Sequence, residues 1–302
     1  MTTFGFHSPF LGENMITSLS NARVREIIQL EKKKKCRYSS LSFVSEGIRM
    51  VLETPGELLE ELYISESFYR NPGHMEKLSA YFSDRADLSN LRNLDQMQID
   101  QCSLFLVSDE VMQKMADTEH PQGILSVTAM PSYSIEDLFS CDHPMFLLPE
   151  DIQDPGNLGT MFRTAEGAGA NGLILGPGCT DPFQPKVVRS TMGSLFRMPF
   201  IAIQSEENWY ELLLNLKKRG VCLFAAWLPG SVSYDDADYR GSTGFLIGNE
   251  GRGLKEKTAE ISDQKIRIPM EGKLESLNAA MSAGILMYEA KRQRRGLYEN
   301  LV

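Results

Sequence analysis

The stretch that decides the fold runs from residue 246 to residue 254 and reads LIGNEGRGL. The apolar residues over Gly244–Ile247 are typical of a buried strand, and the glycines after them let a ligand lie against bare backbone. Gly248, Gly251 and Gly253 lack the spacing of G-x-G-x-x-G, and the last of them is followed directly by Leu254 rather than by the Lys-Ser or Lys-Thr pair of a P-loop. The stretch therefore gives no specific support to dinucleotide or triphosphate binding. Taken alone, it is as compatible with an ordinary turn as with a ligand site.

Two other segments combine Gly, Asn, Glu or Arg with a predicted strand end or helix start. Residues 154–166 read DPGNLGTMFRTAE and place Arg163 about one turn inside a predicted helix, so that it faces the same region as the turn. Residues 268–278 read IPMEGKLESLN and lead into a predicted helix rich in Ala and Gly. Each segment alone is weak evidence for a site.

Around these segments, short apolar runs alternate with helical patterns, which indicates an α/β fold with a mostly parallel sheet. The predicted strands are Met145–Leu148, Gly172–Leu175, Pro199–Ile203, Cys222–Ala226, Gly244–Ile247 and Gln264–Ile268. The predicted helices are Leu158–Ala168, Pro185–Leu195, Asn208–Arg219 and Ser276–Arg295. A smaller α/β domain is predicted before them, with strands at Leu41–Val44, Leu62–Ile64, Leu104–Val107 and Ile124–Val127. The boundary is expected in the stretch 130–144, which contains Pro and Ser.

Length and composition exclude several classes of protein. The chain has 302 residues, of which 42% are hydrophobic and 24% charged, as in soluble globular proteins of about two domains. No apolar run approaches the roughly 18 residues that span a bilayer, and the N-terminus lacks the features of a signal peptide, so we expect a cytoplasmic protein. Five cysteines and four histidines are scattered. That pattern speaks against a disulfide framework and a Cys-rich zinc site, and we predict no metal.

A net charge of −9 argues against nonspecific polyanion binding, but the cations are concentrated locally. Seven basic and two acidic residues between Ser20 and Ser40 give a local charge of +5, on an amphipathic helix predicted over residues 20–35. A second basic run, residues 291–295, ends the last predicted helix. For either run taken alone, a solvated helix face or tail is the favoured interpretation.

In their order along the chain, the three segments resemble the three motifs of the SpoU/TrmH-type RNA 2′-O-ribose methyltransferases of the SPOUT superfamily. The resemblance extends to residues 181–193, DPFQPKVVRSTMG. Residues 43–47 (FVSEG) and 120–124 (HPQGI) are similar to the family's ribosomal-protein-like substrate-binding domain. The pattern differs at residues 148–151, where we expect Pro149 to end a strand early.

The resemblance covers about residues 16–295 and implies two domains. Residues 16–130 would form an N-terminal α/β RNA substrate-binding domain, and residues 144–302 the catalytic domain. The parallel sheet of the catalytic domain would carry a trefoil knot, a rare exception to the rule against knotted connections.

S-adenosylmethionine is the cofactor that the resemblance implies, bound in the knot. Main-chain groups of Leu246, Gly248, Ile268, Met270 and Leu277 would hold it. A ribose 2′-hydroxyl would attack the sulfonium methyl group, with Arg163 as the family's proton acceptor. A guanidinium keeps its proton up to a pH of about 12.5, so a phosphate clamp that stabilises the developing alkoxide requires less free energy.

Asn157, Glu250, Ser276 and Asn278 complete the catalytic set that the resemblance implies. Asn157 would position Arg163 or the ribose, Glu250 would orient Asn157, and Ser276 and Asn278 would contact the cofactor or the nucleotide. Asn157 and Ser276 have ordinary alternatives as helix caps. The candidate phosphate contacts are Arg23, Lys32, Lys33, Lys34, Lys35, Arg37, Lys186, Arg189 and Arg252.

Members of the resembled family dimerise through the knot region, and the small residues of the last predicted helix make it the natural contact of a homodimer. The activity implied is methyl transfer to a ribose 2′-hydroxyl of structured RNA, with rRNA favoured over tRNA. One alternative is an RNA-binding protein that keeps the fold without turnover, although the intact catalytic set favours the enzyme. A nucleotide-dependent oxidoreductase is disfavoured by the missing dinucleotide fingerprint.

Overall fold

The computed structural model describes residues 15–82, 98–99, 102–229, 231–271 and 276–298. These residues form two compact units. Unit 1 contains the described residues up to Pro131 together with Phe183–Gly193, and unit 2 contains Ser132–Pro182 and the described residues from Ser194 onward. The chain therefore leaves unit 2 after Pro182 and returns to it at Ser194. The predicted domain bounds of 16–130 and 144–302 stay a prediction.

Helices and strands alternate along both units. In chain order, the described α-helices are α1 (Ala22–Lys32), α2 (Lys34–Ser40), α3 (Ile48–Glu53), α4 (Glu66–Tyr69), α5 (Pro72–Phe82), α6 (Asp109–Met115), α7 (Ile135–Leu138), α8 (Pro155–Ala168), α9 (Pro185–Thr191), α10 (Ser194–Arg197), α11 (Glu206–Lys218), α12 (Glu256–Ile261) and α13 (Ala279–Tyr298). The strands are β1 (Ser42–Glu46), β2 (Leu59–Ser65), β3 (Gln98–Ile99), β4 (Cys102–Val107), β5 (Ile124–Ala129), β6 (Met145–Pro149), β7 (Gly172–Leu175), β8 (Phe200–Ala202), β9 (Cys222–Ala226), β10 (Val232–Ser233), β11 (Thr243–Ile247) and β12 (Gln264–Arg267). Each predicted strand is present, with ends that differ by at most three residues.

Unit 1 is built on a five-stranded sheet in the order β1-β5-β2-β4-β3. Strands β2 and β4 run parallel, and the other neighbours run antiparallel. Leu62 and Ile64 of β2 pack into one apolar cluster, while Tyr63 between them packs into a second one with Val24 and Ile27 of α1. Because successive side chains of a strand point to opposite faces, the sheet has a core on each side.

The single helix predicted over residues 20–35 is wrong, because two helices meet at Lys33. Lys33 has an extended backbone, with φ −122° and ψ 113°. The buried side chain of Arg37 in α2 turns back and donates to the carbonyl oxygens of Leu30 and Glu31, at 2.6 and 3.1 Å. Carbonyls in the last turn of a helix have no intrahelical partner, so this arginine stabilises the break.

Unit 2 is built on a seven-stranded sheet in the order β10-β12-β9-β11-β6-β7-β8. All neighbouring strands run parallel, which confirms the predicted α/β class with a parallel sheet. Strands β6, β7 and β11 are buried along their whole length, as expected for a sheet covered on both faces. Their carboxyl ends lie at one edge of the sheet, which is where ligands bind in such folds. The knotted threading stays a prediction.

The expectation that Pro149 ends its strand early is wrong. Pro149 is the last residue of β6 and lies opposite Ile247 of β11. A proline lacks only the amide donor, and its carbonyl still accepts from Gly176 N at 2.8 Å. Glu150 N donates to the Ile247 carbonyl at 2.8 Å, so pairing continues past the proline.

The four predicted helices all differ from the structure in their bounds, and for two of them the structure shows a local reason. The helix predicted over Pro185–Leu195 is two helices, separated by Met192 and Gly193 with positive φ angles of 54° and 91°. The last helix begins at Ala279 rather than Ser276, because the Asn278 side chain accepts from the amides of Ala280 and Met281. Asn278 therefore caps α13. The alternative that Ser276 caps this helix is wrong.

No helix in the described part of the chain is both long and apolar enough to cross a membrane. Over the same residues, His, Cys, Asp and Glu side chains form no group of three or more that could hold a metal ion.

Candidate active site at the carboxyl edge of the parallel sheet

The side chain of Asn157, on α8, links two other segments of unit 2. Its Nδ2 donates to Oε1 of Glu250, in the loop after β11. Its Oδ1 accepts from Nδ2 of Asn278, directly before α13, at 2.9 Å. One amide thus uses its donor and its acceptor to join the three segments that the sequence singled out.

The start of α8 leaves this side chain available. Asp154 is the N-cap residue, and its Oδ1 accepts from Asn157 N at 2.8 Å, with Pro155 at the first helical position. The alternative that Asn157 itself caps the helix is therefore wrong. The cap satisfies the backbone N–H of Asn157. The side-chain amide of Asn157 stays available to Glu250 and Asn278.

The loop after β11 closes on itself. Asn249 and Gly253 exchange two backbone hydrogen bonds, at 3.1 and 2.9 Å. A Cβ atom on Gly248 would lie 2.1 Å from Gly253 C and from Leu254 N, so only glycine fits there. The Asn249 side chain fixes the loop further by donating to the Asp151 carbonyl at 2.9 Å. Gly248 is therefore required by the close approach of two backbone segments, and Gly253 has the positive φ of 72° that favours glycine.

Glu150 and Asp151 hold this loop and were missed by the sequence analysis. Glu150 is buried, and its carboxylate accepts from Lys255 N at 3.2 Å and from Thr258 Oγ1 at 3.0 Å. Burial is the main cause that raises the pKa of Glu150 above its ordinary value, against these two hydrogen bonds and the Lys255 charge, which lower it. The available signal was the position of two acids directly after β6, at the edge where the glycine loop also lies.

The predicted cofactor residues lie along this edge. Leu246 is buried within β11 and Gly248 follows it, Ile268 and Met270 are half-buried after β12, and Leu277 is half-buried before α13. The backbone N–H groups of Gly248, Ile268 and Met270 donate to no group in the described parts of the chain. Unused donors beside glycine backbone fit a ligand rich in nitrogen and oxygen acceptors, as S-adenosylmethionine is.

Arg163 lies apart from the Asn157 contacts. Because α8 begins at Pro155, Arg163 is just over two turns inside the helix, and the expectation of one turn is wrong. It lies about 9 Å along the helix axis from Asn157. Its side chain is exposed, and no described residue pairs with it. Ser276 is also exposed, and it takes no part in the hydrogen bonds that join Asn157 to Glu250 and Asn278.

The predicted phosphate contacts divide into two groups. Those exposed to solvent and without a partner in unit 1 are Lys32, Lys33, Lys34, Lys35, Lys186 and Arg252, of which Arg252 lies 3.7 Å from an Asp151 carboxylate oxygen in unit 2. The other three have partners in unit 1: Arg23, although exposed, pairs with Glu61, Arg37 is buried against backbone carbonyls, and Arg189 donates to Asp117 at 2.7 Å. We leave these three arginines out of the RNA surface proposed below.

Comparisons with known proteins agree with this architecture. Residues 144–288 match the sequence model of the SpoU rRNA Methylase family, and residues 21–126 match that of the MRM3-like substrate binding domain. The chain is 31% identical over 279 residues to the 23S rRNA (guanosine(2553)-2′-O)-methyltransferase RlmP of Bacillus subtilis (strain 168), with 91% of this chain and 98% of the relative covered.

Two solved structures with bound S-adenosylmethionine (AdoMet) are similar over nearly the whole chain. The AdoMet-bound rRNA methyltransferase from Sinorhizobium meliloti has a TM-score of 0.74 at 29% identity, covering 92% of this chain and 97% of that one. The SpoU methyltransferase AviRb from Streptomyces viridochromogenes, in complex with AdoMet, has a TM-score of 0.74 at 25% identity, covering 91% and 100%. Together with the match to RlmP, these similarities show that the chain belongs to the SpoU rRNA methylase family.

Proposed function

We propose that this protein transfers a methyl group from S-adenosylmethionine to a ribose 2′-hydroxyl of 23S rRNA. The observation that carries the proposal is the hydrogen-bonded set of Asn157, Glu250 and Asn278 beside unused backbone donors at the carboxyl edge of the sheet. Support for the substrate comes from RlmP, which is named as a 23S rRNA 2′-O-methyltransferase. Support for the cofactor comes from the AdoMet complexes of two similar structures.

The cofactor would be held by main-chain groups of Leu246, Gly248, Ile268, Met270 and Leu277. When bound, it supplies an electrophilic methyl group on a sulfonium. Backbone contacts at strand ends do not depend on side-chain identity, whereas the absence of a side chain at Gly248 is essential.

Arg163 would clamp the phosphate next to the target ribose and stabilise the developing alkoxide. A guanidinium presents several donors in a plane, which matches phosphate oxygens, and it stays charged at neutral pH. The exposed position of Arg163 on α8 lets an RNA phosphate reach it. The 2′-oxygen would form its bond to the methyl carbon as the carbon–sulfur bond breaks, S-adenosylhomocysteine would leave as a neutral thioether, and the hydroxyl proton would pass to water.

Asn157 would position the ribose. Oε1 of Glu250 accepts from the Nδ2 end of the Asn157 amide, which fixes which end of that amide faces Glu250. Asn278 donates to the other end. Ser276 and Asn278 would also contact the methionine end of the cofactor or the nucleotide.

The N-terminal domain, residues 16–130, would select the RNA, since many riboses in rRNA are chemically identical. Of its exposed cations, Lys32, Lys33, Lys34 and Lys35 would contact phosphate together with Lys186 and Arg252. Residues 144–302 would carry out the transfer. An rRNA substrate also agrees with a cytoplasmic enzyme.

A homodimer through α13 is part of the proposal. Met281 and Tyr288 are 60% and 48% exposed, and they lie seven residues apart on α13. That spacing puts both on one face of the helix, where a second copy would cover them. The dimer would be isologous, with the same face used by both copies.

The test is to map 2′-O-methyl positions in total RNA from a strain that lacks this gene. We expect one position in 23S rRNA to lose its methyl group, to regain it with the wild-type gene, and not to regain it with Arg163→Ala. An unchanged 23S rRNA, or a loss confined to tRNA, would overturn the proposed substrate.

A further inference from the structure

Glu150 is a buried carboxylate whose partners lie more than one hundred residues further along the chain. Glu150 is 1% exposed, and each oxygen of its carboxylate accepts one hydrogen bond. The donors are Lys255 N, at 3.2 Å, and Thr258 Oγ1, at 3.0 Å. A buried carboxylate without partners is strongly unfavourable, so both hydrogen bonds matter for its placement.

These donors belong to the start of α12, which has no side-chain cap of its own. Lys255 occupies the N-cap position, and its side chain makes no capping hydrogen bond. The first amides of a helix have no partner inside the helix. Glu150, from another segment of the chain, supplies a hydrogen-bond acceptor for the first of these amides, and it thereby fixes where α12 begins.

The start of α12 is connected directly to the glycine loop. Leu254 precedes Lys255, and a Cβ atom placed on Gly248 would lie 2.1 Å from Leu254 N. The backbone at Gly248 therefore touches the backbone one residue before the amide that Glu150 holds. A displacement of Lys255 must displace the chain that packs against Gly248.

The other end of the loop is held by the same segment. Glu150 N donates to the Ile247 carbonyl at 2.8 Å, and the Asp151 carbonyl accepts from Asn249 Nδ2 at 2.9 Å. Two consecutive residues after β6 thus hold both the entry and the exit of the loop 248–254.

We infer that Glu150 is a positioning residue, which holds the loop 248–254 in the shape that binds S-adenosylmethionine, through Lys255 N and Thr258. The inference rests on the proposed function, because it assigns the main chain of Gly248 to that cofactor. Glu150 itself touches neither cofactor nor RNA in this account.

The decisive variant is Glu150→Gln, which keeps the size of the side chain but replaces one accepting oxygen by an NH2 group. We expect the Kd for S-adenosylmethionine, measured by calorimetry on the full chain, to rise about tenfold or more. The Kd for RNA and the kcat at saturating cofactor should stay close to wild type. Glu207→Gln, at an exposed position on α11, is the matched control and should bind the cofactor as wild type does.

Thr258 provides a second, independent test. Thr258→Val removes the hydroxyl that Glu150 accepts from and keeps the shape, so it should weaken cofactor binding in the same direction. Thr258→Ser restores a hydroxyl and should recover most of the affinity. If Glu150→Gln does not fold, these two variants decide the question.

The outcomes separate this inference from the proposed function. If the wild type binds S-adenosylmethionine and folded Glu150→Gln and Thr258→Val bind it equally well, the inference is overturned and the proposed function stands. A fall in kcat with unchanged cofactor affinity also overturns it. A wild type that binds no S-adenosylmethionine overturns the proposed function, and the inference with it.

Discussion

The side chain of Asn278 donates a hydrogen bond to the side chain of Asn157 at 2.9 Å, although 121 residues separate the two along the chain. Asn157 in turn donates to Glu250. Three segments at the carboxyl edge of one sheet, one of them the start of α8, are therefore joined through a single amide, whose orientation is fixed from both sides. This arrangement suits a site that must present one hydrogen-bonding group to a ribose in a fixed direction.

The first prediction concerns the polarity of that amide. Asn157→Asp removes the donor and sets a second carboxylate against Glu250, and like charges repel at this distance. We expect the methylation rate to fall by about a hundredfold, the size of effect seen when a positioned polar group is lost. The exchanged pair, Asn157→Asp with Glu250→Gln, restores a donor opposite an acceptor and should recover at least tenfold of that loss.

Single-turnover methylation assays measure both rates. Asn208→Asp, an exposed amide on α11, controls for the added charge and should be neutral. A double variant no faster than Asn157→Asp alone would show that the hydrogen bond has no role in the reaction.

The second prediction concerns Arg163. Arg163→Lys keeps a positive charge but loses the planar set of donors, so both Arg163→Lys and Arg163→Ala should lower the rate by about a hundredfold or more. The melting temperature should not change, because Arg163 is exposed and has no partner among the described residues.

Added guanidine should partly restore Arg163→Ala in the same assay. Arg240→Lys, which alters an exposed ion pair with Asp238, serves as the comparison and should keep full activity. Wild-type rates in Arg163→Lys would contradict the role as a phosphate clamp.

The third prediction concerns pH and the stability of unit 1. Both carboxylate oxygens of Glu31 are buried without a hydrogen-bond partner in the described structure. Burial, and then the charges of Asp117 and Glu46, raise the pKa of Glu31 from 4.5 to about 8, against the opposing charges of Arg189 and Arg37. The folded chain therefore binds this proton more tightly than the unfolded chain does.

Between pH 4.5 and about pH 8, the folded state holds more protons than the unfolded state. The free energy of unfolding therefore decreases as pH rises, by up to about 1.4 kcal/mol for each pH unit. Glu31→Gln should flatten this slope and be more stable than wild type in mildly alkaline buffer. Denaturant unfolding at several pH values measures the slope, with Glu57→Gln at an exposed position as the control. Parallel slopes for wild type and Glu31→Gln would refute the prediction.

The fourth prediction concerns the basic helices of unit 1. Lys34 and Lys35 are exposed, and the Lys34 ammonium lies 5.3 Å from the centre of the Tyr38 ring. The logarithm of the RNA-binding constant falls linearly with the logarithm of the salt concentration. If each lysine contacts one phosphate, Lys34→Gln and Lys35→Gln should each make this slope shallower by about 0.7–0.9.

Fluorescence anisotropy with a 23S rRNA fragment, over a series of salt concentrations, gives these slopes. Lys77→Gln, an exposed lysine on α5, should leave the slope unchanged. Equal slopes for all of these variants would exclude the α1–α2 region from the RNA surface.

Much of the fold could be predicted because the central strands β6, β7 and β11 are buried along their whole length and read as continuous apolar runs. Strands β7 and β9 have the predicted bounds, for example. The break at Lys33 could not be predicted, because it depends on Arg37 turning back to the Leu30 carbonyl. The two-residue strand β10 and the six-residue helix α12 are too short to show a period.

The candidate site was predictable to a similar extent. The contact between Glu250 and Asn157 was expected from the resemblance and is present in the structure. The role of Glu150 was not, because it depends on a partner, Thr258, in a helix that the sequence analysis did not identify. The orientation of Arg163 also depended on the true start of α8, which Asp154 and Pro155 set three residues earlier than expected.

The most direct test of the account is transfer of tritium from methyl-labelled S-adenosylmethionine to rRNA, followed by digestion and identification of the labelled nucleoside. We predict label in a single 2′-O-methylribonucleoside with the wild type, and almost none with Asn157→Asp or Arg163→Ala. Label on a base instead of the ribose, or no transfer by protein that is folded and supplied with ribosomal RNA, would contradict the account.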